Sequence, residues 1–244
     1  MNLIIDIGNT RVKTVVFDKN NEIVGRKVNN NDLIIKDIED LLANFNIKNA
    51  IVSQVGSDVL GLSELLQKHK IKLVKLDANL ILPFKIVYKT PQSIGADRLA
   101  LVAGAQLCQP DTNKLIIDAG TCITYDFIDK NNVYHGGAIS PGLFLRYKSL
   151  HDYTANLPLL SPENKNTALI GFDTKSSIQS GVVLGFANEV SGFIVKYNLK
   201  FKDLTVFLTG GDKKILDSYI KNMIFANSNS LLLKGLNYIL NLNL

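Results

Sequence analysis

Residues Leu3-Ile4-Ile5-Asp6-Ile7-Gly8-Asn9-Thr10 return in the middle of the chain as Leu115-Ile116-Ile117-Asp118-Ala119-Gly120-Thr121-Cys122. The likeness reaches the next turn, where Asp18-Lys19-Asn20-Asn21 recurs as Asp129-Lys130-Asn131-Asn132, one residue closer to its motif. Each copy opens with an apolar run and an Asp-x-Gly turn. An alternating run follows (Val12, Thr14, Val16; then Ile123, Tyr125, Phe127), and the second turn leads into a third strand. The pattern predicts a three-stranded antiparallel meander used twice. Two homologous halves follow, 1–112 and 113–244, divided where Pro110-Asp111 ends a helix.

Beyond each meander the periodicity changes to helices alternating with short strands. In the first half it predicts helices over 32–45, 57–70 and 95–108, and strands over 50–55, 73–76 and 85–88. In the second half it predicts helices over 141–155, 174–197, 213–220 and 230–240, and a strand over 205–208. Pro141 is expected in the first turn of its helix, a favoured place for proline. The class is α/β, with a mixed sheet and flanking helices in each half.

Composition narrows the function. The longest apolar runs, Leu99 to Ala105 and Gly181 to Ala187, are seven residues each, against the roughly 20 that cross a bilayer, so no membrane span is expected. Nor does the N-terminus read as a secretory signal. The net charge of +5 suits an anionic ligand, but the lysines are scattered rather than gathered on one face, which argues against nucleic acid. Two cysteines and three histidines make neither a disulfide framework nor a metal cluster. A reducing cytoplasm is the expected home.

The chemistry sits in the turns. Neither a Walker A loop nor a dinucleotide fingerprint is present. In Asp6-x-Gly8-Asn9-Thr10 a strand ends on a carboxylate and the following amides can face an anion, with Thr10, Arg11 and Lys13 adding donors. Asp6 would repel phosphates unless Mg²⁺ lies between them. Asp118-x-Gly120-Thr121 is a second such turn, and two facing turns would clamp a nucleoside triphosphate. Gly95-Ala96-Asp97-Arg98 opens an apolar helix. A guanidinium there opposes the helix dipole and makes sense when it binds a carboxylate or phosphate. Asp97 beside it could then accept a proton from a substrate hydroxyl. Thr209-Gly210-Gly211-Asp212 and Gly136-Gly137 are weaker candidates for close approach to a ligand. Cys122 reads as a packed small residue.

In order and approximate spacing, Asp6-x-Gly8-Asn9-Thr10, Gly95-Ala96-Asp97-Arg98, Asp118-x-Gly120-Thr121 and Gly136-Gly137-x-Ile139-x-Pro141-Gly142 resemble type III pantothenate kinase over essentially the whole chain. The resemblance implies two ribonuclease H-like domains of the actin-like ATPase and sugar kinase superfamily. It implies ATP-dependent phosphorylation of pantothenate, the first step of coenzyme A biosynthesis. By the same resemblance Asp6, Ile7, Gly8, Asn9, Thr10, Arg11, Val12, Lys13 and Thr121 contact ATP, and Asp118 holds a potassium or ammonium ion required besides Mg²⁺. Tyr88, Gly95, Ala96, Asp97, Arg98 and Thr174 hold pantothenate, and Asp97 is the proton acceptor. A homodimer is implied, with Thr174 serving the partner's site. Two rivals share the fold: another small-molecule kinase, in which Gly95-Ala96-Asp97-Arg98 would have no reason to match, and a non-catalytic regulatory relative. The presence of Asp6, Asp97 and Asp118 together favours catalysis.

Overall fold

The computed structural model describes residues 1–8, 11–54, 59–163, 167–220 and 225–244. It divides into two compact units. Unit 1 holds Met1–Pro110, Asn132–Tyr134 and Ser230–Leu244; unit 2 holds Asp111–Asn131 and His135–Asn229.

Unit 1 begins with β1 (Asn2–Ile7), β2 (Val12–Phe17) and β3 (Ile23–Asn29), the predicted antiparallel meander. After α1 (Ile34–Asn44), β4 (Asn49–Gln54) joins β1 in parallel. After α2 (Leu62–Lys68), β5 (Lys72–Lys75) joins β4 in parallel, giving the order β3-β2-β1-β4-β5. Alternation assigns the two faces. Leu3, Ile5, Ile7, Val12, Val16, Ala50 and Val52 pack with Ile34, Ile38 and Leu41 of α1 and Leu62 and Leu66 of α2. The opposite face, carrying Ile4, Asp6, Lys13, Val15, Ile51 and Ser53, lies toward α3 (Ala96–Cys108) and α8 (Leu231–Leu242). The helix expected from residue 57 begins at Leu62; residues 55–58 lie outside the described residues.

The expected second domain, 113–244, differs from unit 2 at its last helix. α8 returns to unit 1, where Gly235 meets the backbone of Ala100 and Gly104 meets that of Leu231. Between α2 and α3 a two-residue strand, β6 (Lys85–Ile86), pairs with Val133 and Tyr134, which also belong to unit 1.

Unit 2 carries the second copy of the motif. β7 (Asn113–Ala119) and β8 (Cys122–Ile128) pair antiparallel, β9 (Val133–Pro141) lies beside β8, and β10 (Leu204–Thr209) joins β7 in parallel. Leu115, Ile117, Ala119, Ile123, Tyr125, Val206 and Leu208 form a core with α4 (Leu143–Asp152), α5 (Thr174–Gln179), α6 (Gly185–Lys200) and α7 (Lys213–Tyr219). Pro141 is not in the first turn of a helix, as expected from sequence. It ends β9, and Gly142 caps α4 with an extended backbone.

A π-helical turn, Ser180–Leu184, joins α5 to α6 in one helical run of 27 residues, Thr174–Lys200. Its length and apolarity alone would suit a membrane span, which the short apolar runs did not suggest. Half of its most apolar stretch is buried in the core of unit 2, and the run carries Glu189, ion-paired to Arg146. It is a core helix.

Candidate active site

In unit 1, the strand alternation that sends Ile5 and Ile7 into the apolar core turns Asp6 to the opposite face, where it is only 5% exposed. The sheet register places Lys13 of β2 on one side of Asp6 and Ser53 of β4 on the other. Lys13 Nζ donates to Asp6 Oδ2 at 3.1 Å. Burial pushes the Asp6 carboxyl above its usual pKa; Lys13 pulls it back, and the charge of Asp97 raises it further. Asp97 therefore stands close enough for two carboxylates to share one field. It enters from the first turn of α3, where its Oδ1 accepts the Arg98 backbone N–H at 2.9 Å. A Cβ on Gly95 would lie 2.5 Å from that oxygen, so the glycine makes room for the carboxylate. Arg98 itself is buried.

In unit 2, Asp118 occupies the same place at the end of β7. It stands in register with Thr124 of β8 and Thr209 of β10. The two copies differ in one informative respect. Where Asp6 has the ammonium of Lys13 in the neighbouring hairpin strand, Asp118 has the hydroxyl of Thr124. Thr124 Oγ1 is buried and has no hydrogen-bond partner among the described residues.

The backbone around this second carboxylate is tightly interlocked. Gly142 N–H donates to the Thr121 carbonyl at 3.0 Å. A Cβ on Gly142 would come within 2.1 Å of the Gly120 carbonyl oxygen. From the other side, Gly210 takes a left-handed φ of 98° and Asp212 N–H donates to the Ala119 carbonyl at 3.0 Å. The Asp212 carboxylate accepts the Leu143 backbone N–H, and burial raises its pKa.

A charged network steadies the strand end that delivers Gly142. Arg146 Nε donates to the Pro141 carbonyl at 2.9 Å, and its Nη2 reaches Ser140 Oγ at 3.2 Å and Glu189 Oε2 at 2.5 Å. Tyr125 donates to the other Glu189 oxygen at 2.9 Å, and the guanidinium sits 5.0 Å from the centre of the Phe186 ring. Arg146 also borders a cavity of about 720 Å³ on unit 2, lined further by Leu150, Leu157, Thr174, Ile178 and Val182.

The residues expected from sequence thus fall into three groups. Asp6, Lys13 and Asp97 come together in unit 1, with Gly95, Ala96 and Arg98 in the same helix start. Asp118 and the exposed Thr121 sit in the second turn, and Thr174 opens α5 at the cavity. Asn9 and Thr10 lie outside the described residues. The side chains of Ile7 and Val12 are buried in the apolar core, so only their backbone could meet a ligand. Arg11 is exposed beside Gly8, whose N–H donates to the Arg11 carbonyl at 3.1 Å. Tyr88 is half-buried just past β6. Gly136-Gly137 lies within β9 and serves strand packing, since a Cβ on Gly137 would strike the Tyr125 carbonyl. Cys122 is exposed at the start of β8, not packed. Sequence reasoning missed Ser53, Thr124 and the Arg146–Glu189 pair. Their only signal was alternation, which assigns a face but not a neighbour.

Comparison with known proteins identifies what the chain resembles. The family model for type III pantothenate kinase matches residues 2–196. A type III pantothenate kinase of Christiangramia forsetii is 50% identical over 244 residues, covering 100% of this chain and 99% of that protein. One from Flavobacterium johnsoniae is 47% identical over 233 residues, covering 95% of this chain and 94% of its own. Among solved structures, a ROK family glucokinase from Streptomyces griseus, in complex with glucose and AMPPNP, superposes with a TM-score of 0.57 at 12% identity. That match covers 99% of this chain and 98% of the glucokinase, so the two chains share a fold.

Proposed function

Because the chain belongs to the type III pantothenate kinase family, we propose that it transfers the γ-phosphoryl group of ATP to the primary alcohol of pantothenate, giving 4'-phosphopantothenate and ADP. The observation that carries this reading is the buried Asp6–Lys13 pair on the sheet face that lies toward α3, whose first turn carries Asp97 near enough for its charge to act on Asp6. In the reaction the alcohol oxygen bonds to the γ-phosphorus, the bond from that phosphorus to the bridging oxygen breaks, and the alcohol proton passes to Asp97. Such a transfer depends chiefly on positioning and charge. Arg98, at the same helix start, offers a guanidinium to the single carboxylate of pantothenate.

The residues fit a divalent cation held through water. Among the described residues no group of three or more metal-ligating side chains is assembled. Asp6 is instead a single buried carboxylate, the kind of anchor a hydrated Mg²⁺ uses alongside phosphate oxygens. A Mg²⁺ ion held by Asp6 through water would supply positive charge to offset that of the phosphates. The second turn fits a monovalent cation. In register beside the Asp118 carboxylate stands the buried Thr124 hydroxyl, which has no hydrogen-bond partner among the described residues and could add an oxygen ligand for such an ion. Asp118→Asn should therefore weaken activation by potassium relative to sodium, read as the ratio of kcat in the two salts. An unchanged ratio would place the cation elsewhere.

Thr174 belongs to unit 2, and the segment next to α5 exposes Leu169, Ile170 and Phe172, each more than 80% accessible. Apolar surface of that kind marks an interface, and it supports a homodimer in which Thr174 contributes to the partner's pantothenate site. Light scattering should return twice the chain mass; a monomer at working concentration would contradict the dimer.

A further inference from the structure

Among the described residues five buried side-chain oxygens lack a hydrogen-bond partner: those of Thr14, Ser53, Gln106, Thr124 and Asn132. Thr14 faces the apolar core between Val12 and Val16. Ser53 is different. It is 1% exposed, it stands in register with Asp6 across the β1–β4 pair, and alternation turns it to the face that carries Asp6 and Lys13. Neighbouring strands lie about 4.8 Å apart, so its hydroxyl is one strand spacing from the carboxylate. Asp6 nonetheless takes its hydrogen bond from Lys13.

A hydroxyl buried without a partner burdens the folded chain, and an alanine would keep its shape without that burden. Groups of this sort in a native structure call for a ligand or a catalytic reason. Ser53 and Lys13 flank Asp6 from its two sides and are both donors. A neutral donor adds a bond to an oxyanion without placing further charge beside Asp6.

We propose that Ser53 is a ligand-binding residue of the phosphoryl-transfer centre, its hydroxyl donating to an anionic oxygen of the phosphate in transfer. The proposal rests on the kinase reading given above. It makes stability and activity move apart. Ser53→Ala should leave the Tm of the ligand-free protein unchanged or higher. The same change should lower kcat about tenfold to hundredfold, the effect of losing one hydrogen bond to a charged group, with the KM for pantothenate within about twofold. Ser53→Cys, of similar size but a weaker donor, should fall between alanine and wild type. Wild-type kcat in the alanine variant would overturn the proposal. So would a Tm that falls together with activity, which is the mark of a structural role. Wild-type protein that transfers no phosphate to pantothenate in the same assay would overturn the kinase reading itself, and the role of Ser53 with it.

Discussion

Asp97→Asn is expected to lower kcat for phosphate transfer to pantothenate by roughly 10²- to 10⁴-fold, the usual worth of a positioned general base, while ATP affinity stays within a few-fold. The side chains have nearly the same shape, and the amide oxygen of Asn can still accept the Arg98 N–H that orients Asp97. The start of α3 and the fit around Gly95 are therefore preserved. What disappears is the acceptor for the alcohol proton. The charge of Asp97 also raises the pKa of Asp6. Removing it lets Asp6 ionise more readily, so anchoring of the hydrated cation is not harmed. Steady-state kinetics, with calorimetric titration of a non-hydrolysable ATP analogue, separates the two effects. Near wild-type turnover would assign the proton to another acceptor.

Gly235→Ala is expected to destabilise the fold strongly for a single added methyl. The added Cβ would stand 1.8 Å from the Ala100 carbonyl oxygen and 2.7 Å from the Gly104 nitrogen. These are backbone atoms in the middle of α3, so no rotamer change relieves the collision. Overpacking of this kind costs about 1–3 kcal/mol or somewhat more. The gain of about 1 kcal/mol from replacing glycine inside a helix offsets only part of it. At about 2–4 °C per kcal/mol for a chain of this size, the Tm should fall by roughly 5 °C. Activity should fall as well, because α3 carries Asp97 and Arg98 at its first turn. A Tm equal to or above wild type would mean that α8 does not pack on α3 as described.

Much of this architecture was legible in the residues alone, for a physical reason. Asp6 and Asp118 were visible because a strand that ends in Asp-x-Gly must turn, and a turn repeated with its flanking alternation is local information. Asp97 and Arg98 were visible because charges at the mouth of an apolar helix are conspicuous. What sequence could not supply was register. Nothing in the order of residues says that Ser53 arrives beside Asp6, or that Thr124 stands by Asp118 where Lys13 stands by Asp6. The resemblance implies ATP contacts at Ile7 and Val12, and because alternation buries their side chains, such contacts fall to their backbone. Proximity in the chain puts the last helix with the second half, whereas the close fit of Gly235 on Ala100 draws it back to the first unit. Proline favours the first turn of a helix in general, but here Pro141 ends a strand and leaves the cap to Gly142.

The most direct test of the account is to incubate purified protein with ATP, pantothenate, Mg²⁺ and potassium, and to measure 4'-phosphopantothenate by mass spectrometry. The account predicts product in amounts matching the ADP released, and none when pantothenate is omitted. A folded protein that binds ATP but forms no phosphopantothenate would contradict it and point to a different acceptor.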